Sequence, residues 1–219
     1  MAILVKTGLA IPVVAKGTKG AKAAGKGAKP KGKAAAAPKA AVAGFGDSGP
    51  IDLGMTRVIQ QQTNWCWAAC TVMVTANRTG QALDQSALAN FRTKRADCSP
   101  ANTFCNVTSN ETEMQTVYGG AAHITATPTA ITQAHAAANR EALIRQMQTT
   151  PRPTPVQIGW AFWGGGRHVV VIGGYTQWQG DDYFWILNPA QQFPDGYWLR
   201  FDALYTADGT GDWILAITF

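Results

Sequence analysis

The chain has 219 residues, nineteen of them basic and thirteen acidic, for a net charge of +6. Residues 1–50 hold nine lysines against Asp47 alone, a net of +8, while residues 51–219 hold ten basic and twelve acidic side chains, a net of −2. The basic balance is thus a property of the tail and says little about the rest, and no stretch approaches the ~20 consecutive apolar residues of a membrane span.

Residues 1–50 are almost entirely Ala, Gly, Lys, Val and Pro. Such a segment buries too little apolar surface to offset its ordering entropy, and its like charges repel, so a disordered basic tail is expected. Its start, "MAILVKTGLAIPVVAKGTKG", is interrupted at Lys6 and makes a poor signal peptide. A linker or export segment is the plain reading of the tail; the alternatives are a removable pro-region and an arm that contacts anionic surfaces without sequence preference. Residues 51–219 suffice for one domain with a heavily aromatic core, holding seven Phe and all eight Trp.

In chain order, "IDLGMTRVI" reads as a lead-in or short strand. "CWAACTVMVTAN" (66–77) is apolar on nearly every side, with Thr71 and Thr75 as a thin polar line. That pattern predicts a helix buried in the middle of the domain, although Val72 and Val74 would also suit a strand. Short helices are predicted over 83–92 and 109–120, the second stopped by Gly119 and Gly120, with "DCSPANTFC" as a loop between them. A further helix over 139–148 ends at the Pro-rich "TTPRPTP". Beyond Pro155, "VQIGWAFW", "HVVVIGGYTQW", "DYFWILN", "GYWLRFDALY" and "DWILAITF" are β-branched and aromatic runs separated by turn residues. Helices followed by an antiparallel meander predict an α+β architecture, with a site in the cleft between the layers.

Cys66 falls in the first turn of the buried helix, where unpaired N–H groups and the helix dipole favour an anion and are expected to lower a thiol's pKa. Of the three histidines, His168 is the one delivered by a glycine loop, "WGGGR", to the start of a buried strand. Asn188 ends the next strand before Pro189, and a hairpin through "QGDD" makes it a neighbour of His168. Nucleophile, base and orienting group are the parts of a Cys–His–Asn arrangement. An oxyanion needs two aimed N–H groups; the Cys66 amide supplies one, and Gln60, Gln61 and Gln62 offer side-chain amides for the other.

The blocks "VIQQQTNWCWAAC", "PVQIGWAFWGGGRHVVVIGGY" and "YFWILNPAQQF" resemble the papain-like cysteine peptidases, nearest to the small bacterial branch of plant-pathogen effector peptidases and leader-peptidase domains of bacteriocin exporters. The resemblance covers residues 51–219 and implies a papain-like fold and hydrolysis of peptide bonds through a thioester. It matches Cys66 to the nucleophile, His168 to the base and Asn188 to the orienting residue. Gln60, six residues before Cys66, matches the oxyanion glutamine, with Gln61 and Gln62 as alternatives. Trp65, Trp67, Trp163 and Gly166 are expected to line the substrate cleft. Two departures stand out: Thr63, Asn64 and Trp65 replace the Gly-Ser-Cys lead-in of the plant enzymes, and no tryptophan follows Asn188 to shield its bond to the histidine, leaving Trp185 or Trp198 for that task.

Cys98 and Cys105 bracket a short loop and form the preferred disulfide; Cys70, one turn behind Cys66, is a buried thiol or else the partner of either. A disulfide suggests an oxidising destination, hence a secreted or delivered effector or toxin, with a cytoplasmic location as the alternative. No metal or cofactor is expected; the partner is a protein or peptide substrate, no sequence-specific nucleic acid is expected, and the chain should be a monomer. Competing functions are a deamidase or transglutaminase using the same residues, and a non-catalytic binding module with a basic arm.

Overall fold

The computed structural model describes residues 2–4, 10–12, 50–148 and 154–219. The reading of 1–50 as a disordered tail falls mostly outside them; within it, β1 (Ala2–Leu4) and β2 (Ala10–Pro12) pair antiparallel.

The helix that begins at Cys66, α1 (Cys66–Thr79), is buried along most of its length, from Trp67 through Thr75. The threonines of its thin polar line, Thr71 and Thr75, are buried as well; the Thr71 hydroxyl donates back to the Trp67 carbonyl at 2.9 Å, which lets that residue sit in the core without an orphaned O–H. Gly80, in the left-handed conformation, ends it. Next come α2 (Gln85–Thr93), capped by the Asp84 side chain, and α3 (Glu111–Gly120), which starts on a reciprocal Asn110–Glu113 capping box. The fourth, α4 (Ala136–Gln148), begins three residues earlier than the sequence suggests.

Nearly all strands lie in one antiparallel sheet, ordered β4 (Thr127–Ala130), β9 (Gly211–Thr218), β5 (Val156–Phe162), β6 (Arg167–Trp178), β7 (Asp181–Leu187) and β8 (Tyr197–Arg200), with β3 (Ile51–Asp52) paired to β6. The α+β architecture is as expected, but the strands are not a simple meander. After β8 the run "FDALY" forms a helical turn, α5 (Phe201–Tyr205), that buries Leu204 and Tyr205, and the chain then returns to lay β9 between β4 and β5.

Alternation along β6 builds two cores. Val169 and Val171 pack with α1, α2 and α3, whereas Val170 and Ile172 pack on the opposite face with Leu143 and Met147 of α4 and Leu204 of α5. A two-residue turn, Gln179–Gly180, joins β6 to β7; both residues have positive φ, the pattern of a type I′ hairpin. The ladder slips once: Ile172 faces Ile186 and Gly174 faces Trp185, leaving Gly173 as the extra residue of a bulge whose carbonyl accepts from Leu53 N–H at 2.9 Å.

Candidate active site

No Ser, Thr, Asp or Asn side chain caps α1; its N-cap is Trp65, which makes no capping bond. The first-turn amides therefore stay unclaimed by a cap and are free to face the sulfur at the helix start. The Cys66 sulfur accepts from the backbone of Val169, Trp67 and Cys66 itself. Val169 follows His168, so the thiol lies against the beginning of β6. Cys70, one turn on, reaches the same residue from the other side, its Sγ 3.4 Å from the Val169 carbonyl.

The expectation of a depressed Cys66 pKa is corrected. Burial pushes the thiol above its ordinary value, and the three backbone contacts only partly pull it back. Burial also lowers the His168 pKa, with the Asn188 hydrogen bond acting in the opposite sense. Burial thus favours the neutral form of both groups.

His168 Nε2 and Asn188 Oδ1 are 2.8 Å apart. Asn188 Oδ1 also accepts from the Ala190 backbone N–H at 3.0 Å, and its Nδ2 faces the Tyr197 hydroxyl at 3.4 Å. A backbone N–H donates unambiguously, which fixes the carboxamide with its oxygen toward the ring. His168 must then carry its proton on Nε2, leaving the Nδ1 lone pair available as a base. Asn188 is buried; the aromatic that touches it is Tyr197, stacked on Phe193 with centroids 5.7 Å apart. Trp185 and Trp198, named from the sequence as shields, pack on each other with centroids 5.3 Å apart.

The three glutamines have different fates. Gln62 Nε2 donates to the carbonyls of Ser99 (2.7 Å) and Asn102 (3.0 Å), and the Gln61 side chain is exposed while its backbone N–H bonds the buried Gln85. Gln60 is the one attached to the site: its N–H donates to the Pro189 carbonyl at 2.9 Å. Its side-chain Nε2 donates to the Gln62 and Thr63 carbonyls at 3.0 and 2.9 Å, and Oε1 is buried without a partner. Gln60 can serve an oxyanion only by releasing one of those carbonyls.

Trp65 and Trp67 do not line the cleft. Both are fully buried, and their indole N–H groups donate to the Cys105 (2.7 Å) and Val107 (3.0 Å) carbonyls. An indole ring surrounded by core side chains needs such an acceptor for its N–H, and the loop provides it. Cys98 and Cys105 are joined in a disulfide with Cα atoms 5.5 Å apart; Cys66 and Cys70 are free. The nearby Asp97 thus has no thiolate with which to share a metal. Trp163 and Gly166 are exposed on the β5–β6 loop that leads into His168, with the Trp163 indole bonded to Asp212 at 2.8 Å.

One residue escaped the sequence reading. Arg57 donates through Nε, Nη1 and Nη2 to the carbonyls of Asn188, Phe193 and Ala190, each at 2.6 Å. Its signal was a lone charge inside the apolar lead-in "MTRVI".

No protein-family model matches the chain, and no curated protein sequence does. Among solved structures it is similar to UfSP from C. elegans, with a TM-score of 0.53 at 13% identity over 81% of this chain. The chain spans about a third of that protein, 35% of its length. The chain has a papain-like fold. A structure from work on the mite allergens Blo t 1 and Der p 1 aligns over 84% of this chain and 75% of its own, at 15% identity and a TM-score of 0.47. The papain-like resemblance seen in the sequence is matched at the level of fold by the first of these two structures.

Proposed function

We propose that the chain is a cysteine peptidase that cleaves peptide bonds with Cys66 as nucleophile, His168 as general base and Asn188 as its orienting partner. The observation that carries this reading is the 2.8 Å His168–Asn188 bond at the strand end whose next residue, Val169, touches the Cys66 sulfur. His168 Nδ1 takes the thiol proton, and Cys66 attacks the amide carbonyl. The Cys66 backbone N–H, which has no intrahelical acceptor in the first turn of α1 and faces its own sulfur at rest, supports the oxyanion together with Gln60. His168 then protonates the leaving amine, and water hydrolyses the thioester. A neutral starting pair is compatible with this sequence, because the proton moves only as the sulfur attacks.

Deamidation or transamidation would use the same residues with a different acyl donor or acceptor. The Cys98–Cys105 disulfide favours action in an oxidising compartment, in keeping with a secreted or delivered protein. The deciding experiment is a peptide-library cleavage profile on wild type and Cys66→Ala. Backbone cleavage by wild type alone supports the peptidase; release of side-chain ammonia alone points to a deamidase; equal turnover by Cys66→Ala rejects both.

A further inference from the structure

We propose that Arg57 is a positioning residue for the His168–Asn188 pair, holding the turn after β7 so that the Asn188 carboxamide meets the imidazole. The proposal deepens the peptidase reading and rests on it for its catalytic consequence, though not for its geometry.

Pro189 ends the β7 ladder and brings no N–H of its own. The turn that follows therefore presents carbonyls without strand partners, and buried carbonyls need donors. One guanidinium satisfies three of them. Its planar fork sets the separations of the Asn188, Ala190 and Phe193 oxygens, which a flexible ammonium would not. Asn188 is thus held twice: by its own carbonyl on Arg57 Nε, and by its side-chain oxygen on the Ala190 N–H. Ala190 is itself fixed by Arg57 Nη2. Three residues along the same segment, the Gln60 N–H takes the Pro189 carbonyl that lies between them. The strip from Arg57 to Gln60 consequently ties the orienting residue of His168 to the oxyanion candidate.

Stability alone is a poor reason for this cation. The Arg57 side chain is only 4% exposed, and the carboxylate it pairs with among the described residues, Asp195, stands 3.6 Å away on a fully exposed side chain. A buried charge is costly to desolvate, and an apolar replacement of similar volume often serves a core as well. What the apolar side chain lacks is the three-point geometry.

The test compares full-length wild type, Arg57→Met, Arg57→Lys, Asn188→Ala and the Arg57→Met/Asn188→Ala double variant. One readout is the ring-nitrogen NMR of 15N-labelled His168, with His123→Gln and His135→Gln used for assignment. The other is hydrolysis of a peptide cleaved by wild type. Arg57→Met is expected to replace the single Nε2–H tautomer by a mixture, as Asn188→Ala does. It should lower kcat roughly 10²-fold with little change in KM. The double variant should be no slower than Asn188→Ala alone, since both act through one ring. Arg57→Lys, which keeps the charge and loses the fork, should fall between, and it carries the test if Arg57→Met does not fold. A wild-type tautomer and rate in the variants, or losses that multiply in the double variant, overturn the proposal. If wild type cleaves no peptide, the peptidase reading fails, while the tautomer readout still decides the role of Arg57.

Discussion

His168 Nε2 lies 2.8 Å from Asn188 Oδ1, and that oxygen simultaneously takes the Ala190 N–H at 3.0 Å. The carboxamide is anchored from behind and therefore holds the ring in one tautomer without adding charge. Replacing it by a carboxylate, Asn188→Asp, adds a negative charge at the same place and should raise the His168 pKa. Titration of the His168 ring by NMR checks this; an unchanged or lowered value would contradict the bonded geometry.

The burial that lowers the His168 pKa has a sign that follows from linkage. With the folded value below the ordinary 6.5, the unfolded chain binds more protons between the two values, so stability rises with pH across that window. The contribution is complete above 6.5 and is lost as pH falls through the folded value. Denaturant midpoints on either side of 6.5 should show this slope, and His168→Gln should flatten it.

Burial of Cys66 makes a parallel statement about reactivity. Its thiol titrates above the ordinary cysteine value, so trapping by iodoacetamide in the absence of substrate should be slow at neutral pH and should climb with alkalinity beyond the range of a free cysteine. Mass mapping should find the label on Cys66 before the fully buried Cys70. Fast labelling at acidic pH would show instead a resting thiolate.

Much of this was legible beforehand. The four longer helices, the hairpin carrying His168 and Asn188, and the pairing of Cys98 with Cys105 follow from apolar periodicity, turn residues and loop spacing, which are local signals. What the sequence misled on is non-local. Aromatic runs suit strands, yet "FDALY" turns helical because Leu204 and Tyr205 have a sheet face to cover. Tryptophans beside a reactive cysteine suggest cleft walls, yet Trp65 and Trp67 point inward to carbonyls forty residues away in the chain. The drop in thiol pKa expected at a helix start was outweighed by burial, which no local pattern reports.

Gln60 and Gln61 separate function from sequence proximity. Gln60→Ala should cost on the order of 10²–10³ in kcat if its amide swings from the Gln62 and Thr63 carbonyls to the oxyanion. Gln61→Ala, which removes only an exposed side chain, should leave the rate unchanged. Steady-state kinetics on one peptide substrate reads both; equal rates for the two variants would remove Gln60 from the mechanism.

The disulfide loop and the residues just after it support the start of α1 through the two indoles. Trp65→Ala removes a fully buried ring and its bond to the Cys105 carbonyl, and should cost about 3–5 kcal/mol of stability. Cys98→Ser opens the loop more gently, by roughly 2 kcal/mol. Urea unfolding of both variants gives the order, and a Cys98→Ser loss exceeding that of Trp65→Ala would contradict it.

Gly173 has a reach out of proportion to its size. Strand side chains alternate, so one supernumerary residue between the hairpin tip and the strand start changes the parity of everything beyond it. Excising that single glycine would rotate the first half of β6 by half a repeat: Val169 and Val171 would leave the helix-facing core, Val170 and Ile172 would replace them, and the imidazole at 168 would turn with them. The side of the sheet on which the site opens is thus written in one backbone step that carries no side chain, held in phase by the Leu53 amide.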